Sequence, residues 1–245
     1  MFEYRKRITS FVLALTVFVA AFPLSTGLSV GAAENDGQKS ETNNTSSNLF
    51  AYYNQYKDAE RPTSEIKTDV SNISGCKNPS SAVKEYQGKT AVCISEDQSW
   101  CEWEFNVAEA GNYELYFDYL ALPGNGKNIG FSVSIDGAVP FSDFESVSLP
   151  RIWKDSESDF TENGEFKKDE TGNQIRPKQI EIQQWQETAL YDSQGLYSEP
   201  YFVYFEKGHH TLKVNALQES VAIASITLKN SKALKSYEEY ISNYS

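Results

Sequence analysis

The sequence predicts an all-β fold, an antiparallel β-sandwich, on three observations. Apolar residues recur with period two in several short segments, turn residues separate those segments, and aromatic side chains make up 13% of the 245 residues. Strands with one apolar face must cover it with a second sheet.

Each strand can be read directly. Trp103, Phe105 and Val107 alternate with Glu102, Glu104 and Asn106, and Tyr113, Leu115, Phe117 and Tyr119 alternate with Glu114, Tyr116 and Asp118. Phe131, Val133 and Ile135 alternate with serines, and Leu212, Val214 and Ala216 with Lys213 and Asn215. Ala110-Gly111-Asn112, Asp136-Gly137 and Lys207-Gly208 supply the turns. In Val221–Leu228 the alternation changes phase near Ser225, as a bulge would make it do. The sandwich is therefore expected over 61–230. Ahead of it, Leu49, Tyr52, Tyr53 and Tyr56 have helical spacing, which predicts a short helix over 48–60 that stops before Arg61-Pro62. Between Phe141 and Pro200 the pattern lapses, so 142–199 reads as a long loop insertion, densest in charge over Asp155–Thr171. Residues 231–245 return to helical spacing at Tyr237, Tyr240, Ile241 and Tyr244, and read as a tail that docks on the sandwich or leads into a further region.

The first residues are a separate object. Arg5, Lys6 and Arg7 precede an apolar run from Ile8 to Leu24, and Gly31-Ala32-Ala33 offers a cleavage site. This predicts a signal peptide over 1–33, a secreted chain without a later membrane span, and a flexible polar linker over 34–47. A net charge of −12 argues against nucleic acid, whose phosphates call for a basic face. Three cysteines, Cys76, Cys93 and Cys101, permit one disulfide in an exported protein. Cys93 and Cys101 would face each other if their segment were a hairpin, while 76–93 and 76–101 bridges are equally allowed. A metal site is not expected, because the only histidines, His209 and His210, are chain neighbours that point to opposite faces of a strand.

The strand series WEFNVAEAGNYELYFDYLAL, FSVSIDGAVPF and YFVYFEKGHHTLKVNALQESVAIASITLKN resembles carbohydrate-binding modules with a galactose-binding-like jelly roll. LPRIW at 149–153, GNQIRPKQIE at 172–181, Trp185 and the closing SYEEY resemble the N-terminal sandwich of long Gram-positive extracellular solute-binding proteins of ABC sugar transporters. The resemblance covers roughly residues 48–240 and implies an oligosaccharide or polysaccharide ligand, with ABC permease components as partners in a longer protein. It also implies a structural calcium in some relatives, but Ala222–Ile226 offers Ser225 and no carboxylate, so no cofactor is carried over.

Sugar recognition needs a flat aromatic face for the C–H side of a pyranose and planar polar groups for its hydroxyls. Residues 151–192 hold both kinds: Arg151, Trp153, Asn173, Gln174, Arg176, Trp185, Tyr191 and Asp192. If the loops gather at one rim, Trp153 or Trp185 would be the platform and Asn173, Arg176 and Asp192 the hydroxyl readers. Trp100, beside the polar Asp97-Gln98-Ser99, reads as an exposed second platform at a hairpin tip. The structural alternative puts Trp103 and Trp185 in the core and makes Arg151 a tie between loop carbonyls. A hydrolase would need paired carboxylates across a cleft, whereas most acids here fall on the polar phase of strands. No Gly-x-Ser-x-Gly element and no phosphate loop is present. The reading is a non-catalytic glycan-binding module, with a protein-docking sandwich as the alternative and a hydrolase as a minor one.

Overall fold

A computed structural model describes residues 48–77, 83–95, 99–231 and 237–242. The signal peptide and linker expected over 1–47, and Asp97-Gln98 of the expected hairpin tip, lie outside the described residues. Among the described residues, no helix is long and apolar enough to cross a membrane.

The fold is a β-sandwich. Its strands in chain order are β1 (Ile66–Asp69), β2 (Ile73–Lys77), β3 (Val83–Tyr86), β4 (Lys89–Ile94), β5 (Trp100–Val107), β6 (Gly111–Ala121) and β7 (Ile129–Ile135). They continue as β8 (Val147–Leu149), β9 (Ile152–Asp155), β10 (Gln179–Ile182), β11 (Trp185–Ala189), β12 (Phe202–Phe205), β13 (Gly208–Gln218) and β14 (Val221–Lys229). One sheet has the order β11-β6-β14-β4-β3, with β12 also on β6 and β1 on β14; the other has β2-β5-β13-β7-β8. All pairings are antiparallel. The period-two residues Trp103, Phe105, Val107, Tyr113, Leu115, Phe117, Phe131 and Val133 are buried in one continuous core between the sheets. The phase change in β14 is a register shift between Ile223 and Ser225 against β6.

Two boundaries differ from the sequence reading. The segment 142–199 is not one irregular loop: it supplies β8 and β11 to the two sheets and a separate ribbon, β9–β10. These strands have three to five residues, too few for a period to show. The helix, α1 (Leu49–Tyr56), is also shorter than 48–60. Asn48 caps it by accepting from the Ala51 N–H at 2.8 Å. After Lys57 the chain turns to run along the sheet. The tail forms α2 (Tyr237–Ser242).

Helix α1 covers an edge that would otherwise offer bare N–H groups. The Phe202 and Tyr204 amides of β12 donate to the hydroxyls of Tyr53 (3.2 Å) and Tyr52 (2.9 Å). Tyr53 stacks on Phe202 and Tyr56 on Tyr204, with ring centroids 4.0 and 4.6 Å apart. Burial pushes the Tyr52 phenol up to about 12.

The chain arrives at the sandwich and leaves it at one corner. Asn112 N–H donates to Glu60 O at 2.8 Å, and the Asn230 side-chain amide donates to both Pro62 O (2.9 Å) and Asn112 O (2.8 Å). Beneath them the buried Glu114 carboxylate accepts from Ser231 N–H (3.1 Å), the Ser231 and Tyr116 hydroxyls (both 3.0 Å) and Arg61 (3.3 Å). Gly111 is required here, because a Cβ would lie 2.5 Å from Glu60 O.

The disulfide is Cys76–Cys101, joining β2 to β5 within one sheet. Cys93 cannot face Cys101 across a hairpin, because β4 and β5 belong to opposite sheets. It stays a half-buried thiol, pushed up by burial. The bridge closes a span of 25 residues. Replacing Cys76 and Cys101 together by alanine is expected to cost about 2–4 kcal/mol, chiefly by freeing the unfolded chain. Urea unfolding checks this, and an unchanged midpoint would contradict it.

Candidate functional site

The loop-rich end of the sandwich carries a buried ionic clamp. Arg151 follows β8 and its side chain is wholly enclosed. Its Nε donates to Lys127 O at 2.6 Å, Nη1 to Leu122 O at 2.9 Å and to Glu181, and Nη2 to Glu219 Oε2 at 2.8 Å. Glu219 sits in the left-handed region (φ 62°) at the β13–β14 turn and also accepts the Asn125 N–H at 3.0 Å. Gly124 has to be glycine, since a Cβ there would stand 1.7 Å from Glu219 Oε2. Arg151 therefore ties the 122–128 loop, the 219 turn and the β9–β10 ribbon together. Of the two roles open to Arg151, ligand contact and structural tie, this is the tie, with four of its five N–H donors bonded inside the protein.

The ribbon displays Trp153. The register pairs Trp153 with Glu181 and Asp155 with Gln179, which places these four residues on one ribbon face. The indole is 45% exposed. Its ring edge rests on Gly126, where a Cβ would come within 3.3 Å of Cη2.

A groove runs down the edge of the sandwich between β8 and β11. Strands β11 and β12 form one interrupted edge strand along β6, and residues 191–200 bulge out between them. The bulge is closed at its neck, where Leu190 N–H donates to Leu115 O (3.1 Å) and Tyr201 N–H to Leu190 O (2.8 Å). Asp192 organises it, accepting the N–H groups of Gln194 (2.8 Å), Leu196 (2.7 Å) and Tyr197 (3.0 Å). Those donors, Gln194 first, hold its carboxyl below the usual range. Facing it is a 3-10 turn at Ser142–Glu145, where Asp143 accepts from the Tyr201 hydroxyl (3.0 Å) and from Ser142 (3.1 Å). Burial, and then that bond to Asp143, raise the Tyr201 phenol strongly.

Three adjoining depressions meet at Asp192. The central one, about 280 Å³, is lined by Asp143, Ser146, Tyr191, Asp192 and Tyr201. A second, about 230 Å³, runs along Ser148 and Thr188 to Pro150 and Asn128, toward the clamped end. A third, about 210 Å³, runs from Asp143 and Asp192 to Leu196 and Phe50 of α1. Tyr191 stands between the first two and is 43% exposed.

The nine candidate residues thus separate. Tyr191 and Asp192 line the groove, and Arg151 and Trp153 lie at the loop-rich end. Asn173, Gln174 and Arg176 lie on an arm beyond the ribbon, and none of them lines the groove. Asn173 closes a turn on Asp169, donating to it (3.3 Å) and to Thr171 (2.7 Å). Hydrogen bonds, the Thr171 hydroxyl first, hold Asp169 down to about 2. Gln174 pairs with Lys168 in an isolated bridge. Trp185 is half-buried on the outer face of its sheet and donates Nε1–H to Tyr86 O at 3.1 Å, with Lys89 Nζ 4.8 Å from its centroid. Trp100 is not an exposed hairpin tip: it opens β5, packs beside Gly75 and lies under Lys213 Nζ at 3.9 Å. His209 and His210 face different acids, Glu104 (3.5 Å) and Asp136 (2.7 Å). Among the described residues, no three His, Cys, Asp or Glu side chains gather as a metal would need. The sequence reading missed Asp143, Ser146 and Tyr201, which sit in turns or on a short edge and carry no periodic signal.

No family model matches the chain, and no curated protein does. Similar solved structures include a family 35 carbohydrate binding module from Clostridium thermocellum, at 14% identity and a TM-score of 0.39 over 69% of this chain and 100% of that one. Another is the C-terminal CBM6 of LamC, a marine laminarinase from Zobellia galactanivorans, at 13% identity and a TM-score of 0.42 over 68% and 100%. A third is CBM35 from Cellvibrio japonicus Abf62, at 15% identity and a TM-score of 0.39 over 69% and 95%. At such identities and scores these are likenesses in the course of the chain, and the site is read from its own residues.

Proposed function

We propose that the protein is a non-catalytic glycan-binding module that lays a saccharide along the edge groove. One observation carries this reading: three adjoining depressions meet at Asp192, and the exposed Tyr191 stands between two of them, bordered by carboxylates and hydroxyls. Tyr191 supplies the apolar face for a sugar ring, and Asp143, Asp192, Ser146, Ser148 and Thr188 supply partners for its hydroxyls. The groove suits binding better than hydrolysis. A glycosidase needs one carboxylic acid with a raised pKa, and Asp192 is held the other way by three amides. The basic-then-apolar leader supports an exported protein, and the LPRIW and GNQIRPKQIE motifs support a place beside an oligosaccharide-uptake solute-binding protein.

Titration calorimetry against a panel of plant and microbial oligosaccharides tests the reading. Tyr191→Ala is expected to weaken binding about tenfold or more while the melting temperature stays near the parent value. Equal affinity in the variant would remove the groove from the interaction. The protein-docking alternative is favoured by one feature, the exposed Leu196 (87%) and Phe50 (74%) at the far end of the groove. Silence toward every glycan at millimolar concentration would turn the reading in that direction.

A further inference from the structure

Resting on the glycan reading above, we infer that the groove selects saccharides bearing a protonated amine and rejects those bearing carboxylate or sulfate. Asp143 and Asp192 both border the central and third depressions. Among the described residues neither is met by a cation there: Asp143 accepts from two hydroxyls and Asp192 from three backbone N–H groups. No lysine, arginine or histidine among the described residues lines any of the three depressions. Arg61, whose charge reaches Tyr197 of the third depression, is engaged with Glu114 and lies 5.1 Å from the Phe202 ring centroid.

The chemistry follows from donor and acceptor counts. A carboxylate only accepts, with about four lone-pair positions. Asp192 has three positions used by amides and Asp143 two by hydroxyls, so each keeps acceptor capacity at the groove. A neutral sugar can fill it with hydroxyl donors. An ammonium on C2 of the sugar offers three donors and a full positive charge, so it adds Coulombic attraction to the charge-assisted bonds that a hydroxyl would also make with carboxylate. A uronate would bring a third anion beside two, with no cation to offset it. The selectivity is therefore electrostatic, and salt should weaken it.

The test compares three chains at low ionic strength: glucosamine oligomers, the same oligomers N-acetylated, and oligogalacturonate. The inference expects the amine form to bind about tenfold or more tighter than the acetylated one, and the uronate to show no measurable binding. It also expects the amine preference to shrink several-fold in about 0.5 M salt. Asp143→Asn keeps an acceptor for the Tyr201 hydroxyl and should bring the amine-to-acetyl affinity ratio toward one. Equal binding of all three chains, or a preference for the uronate, would overturn the charge selection while leaving the glycan reading in place. Binding of none of them, nor of any oligosaccharide in the panel, would remove the glycan reading itself. An amine preference unchanged in Asp143→Asn and at high salt would also overturn the inference, by placing the selectivity elsewhere.

Discussion

Arg151→Ala is expected to lower the unfolding free energy by about 3–5 kcal/mol, because it strands a buried charge rather than merely removing one. The guanidinium side chain is fully enclosed and Glu219 is 1% exposed at its side chain. Without Arg151, Glu219 keeps its burial and loses its counterion, and the carbonyls of Leu122 and Lys127 lose their donors. Lysine should not rescue it, since one ammonium cannot reach four acceptors held in fork geometry. Adding Glu219→Gln to Arg151→Ala should recover part of the loss by discharging the stranded acid. Urea unfolding of the two single variants and the double variant checks both statements. A loss in Arg151→Ala below about 1 kcal/mol would mean that water reaches the clamp as it reaches a surface pair.

Trp103→Ala is expected to cost about 3–5 kcal/mol, through lost burial and the cavity left behind. Trp103 is completely buried at the middle of β5, where it pairs with Ile73 and Leu212. Its indole N–H is buried with no hydrogen-bond partner. That orphan donor separates two effects. Trp103→Phe also loses volume, but it removes a desolvated N–H that costs about 1–3 kcal/mol, so it should cost clearly less than the alanine change. Equal losses in the two variants would show that the donor is satisfied in solution.

How much could be read from the residues follows from which physical signal each part leaves. The long strands β5, β7 and β13 were legible because one face is sealed and the other is wetter, while β6 and β14, buried on nearly every residue, were legible because apolar and polar side chains still alternate along them. Strands β8 and β11 were not, because three and five residues are too few for a period to show. The same limit governs the site. Tyr191 and Asp192 stood out as residue types suited to sugars, but their gathering with Asp143 and Tyr201 depends on contacts across more than forty positions of chain, as in the Tyr201–Asp143 bond. Trp100 misled for a related reason. A tryptophan after a polar run reads as exposed unless one knows that Gly75 leaves room for it and that Lys213 lies over it. Arg151 stood open between reader and tie, and the count of its acceptors decides for the tie.

The corner where Glu114 gathers both flanks has a mechanical consequence. Because Asn230 grips Pro62 and Asn112 at once, two stretches far apart in the chain are locked to one another as well as to the sheet. Tension applied at Ser231 would peel open the bonds around Glu114 before it could load the strand ladders that shape the groove.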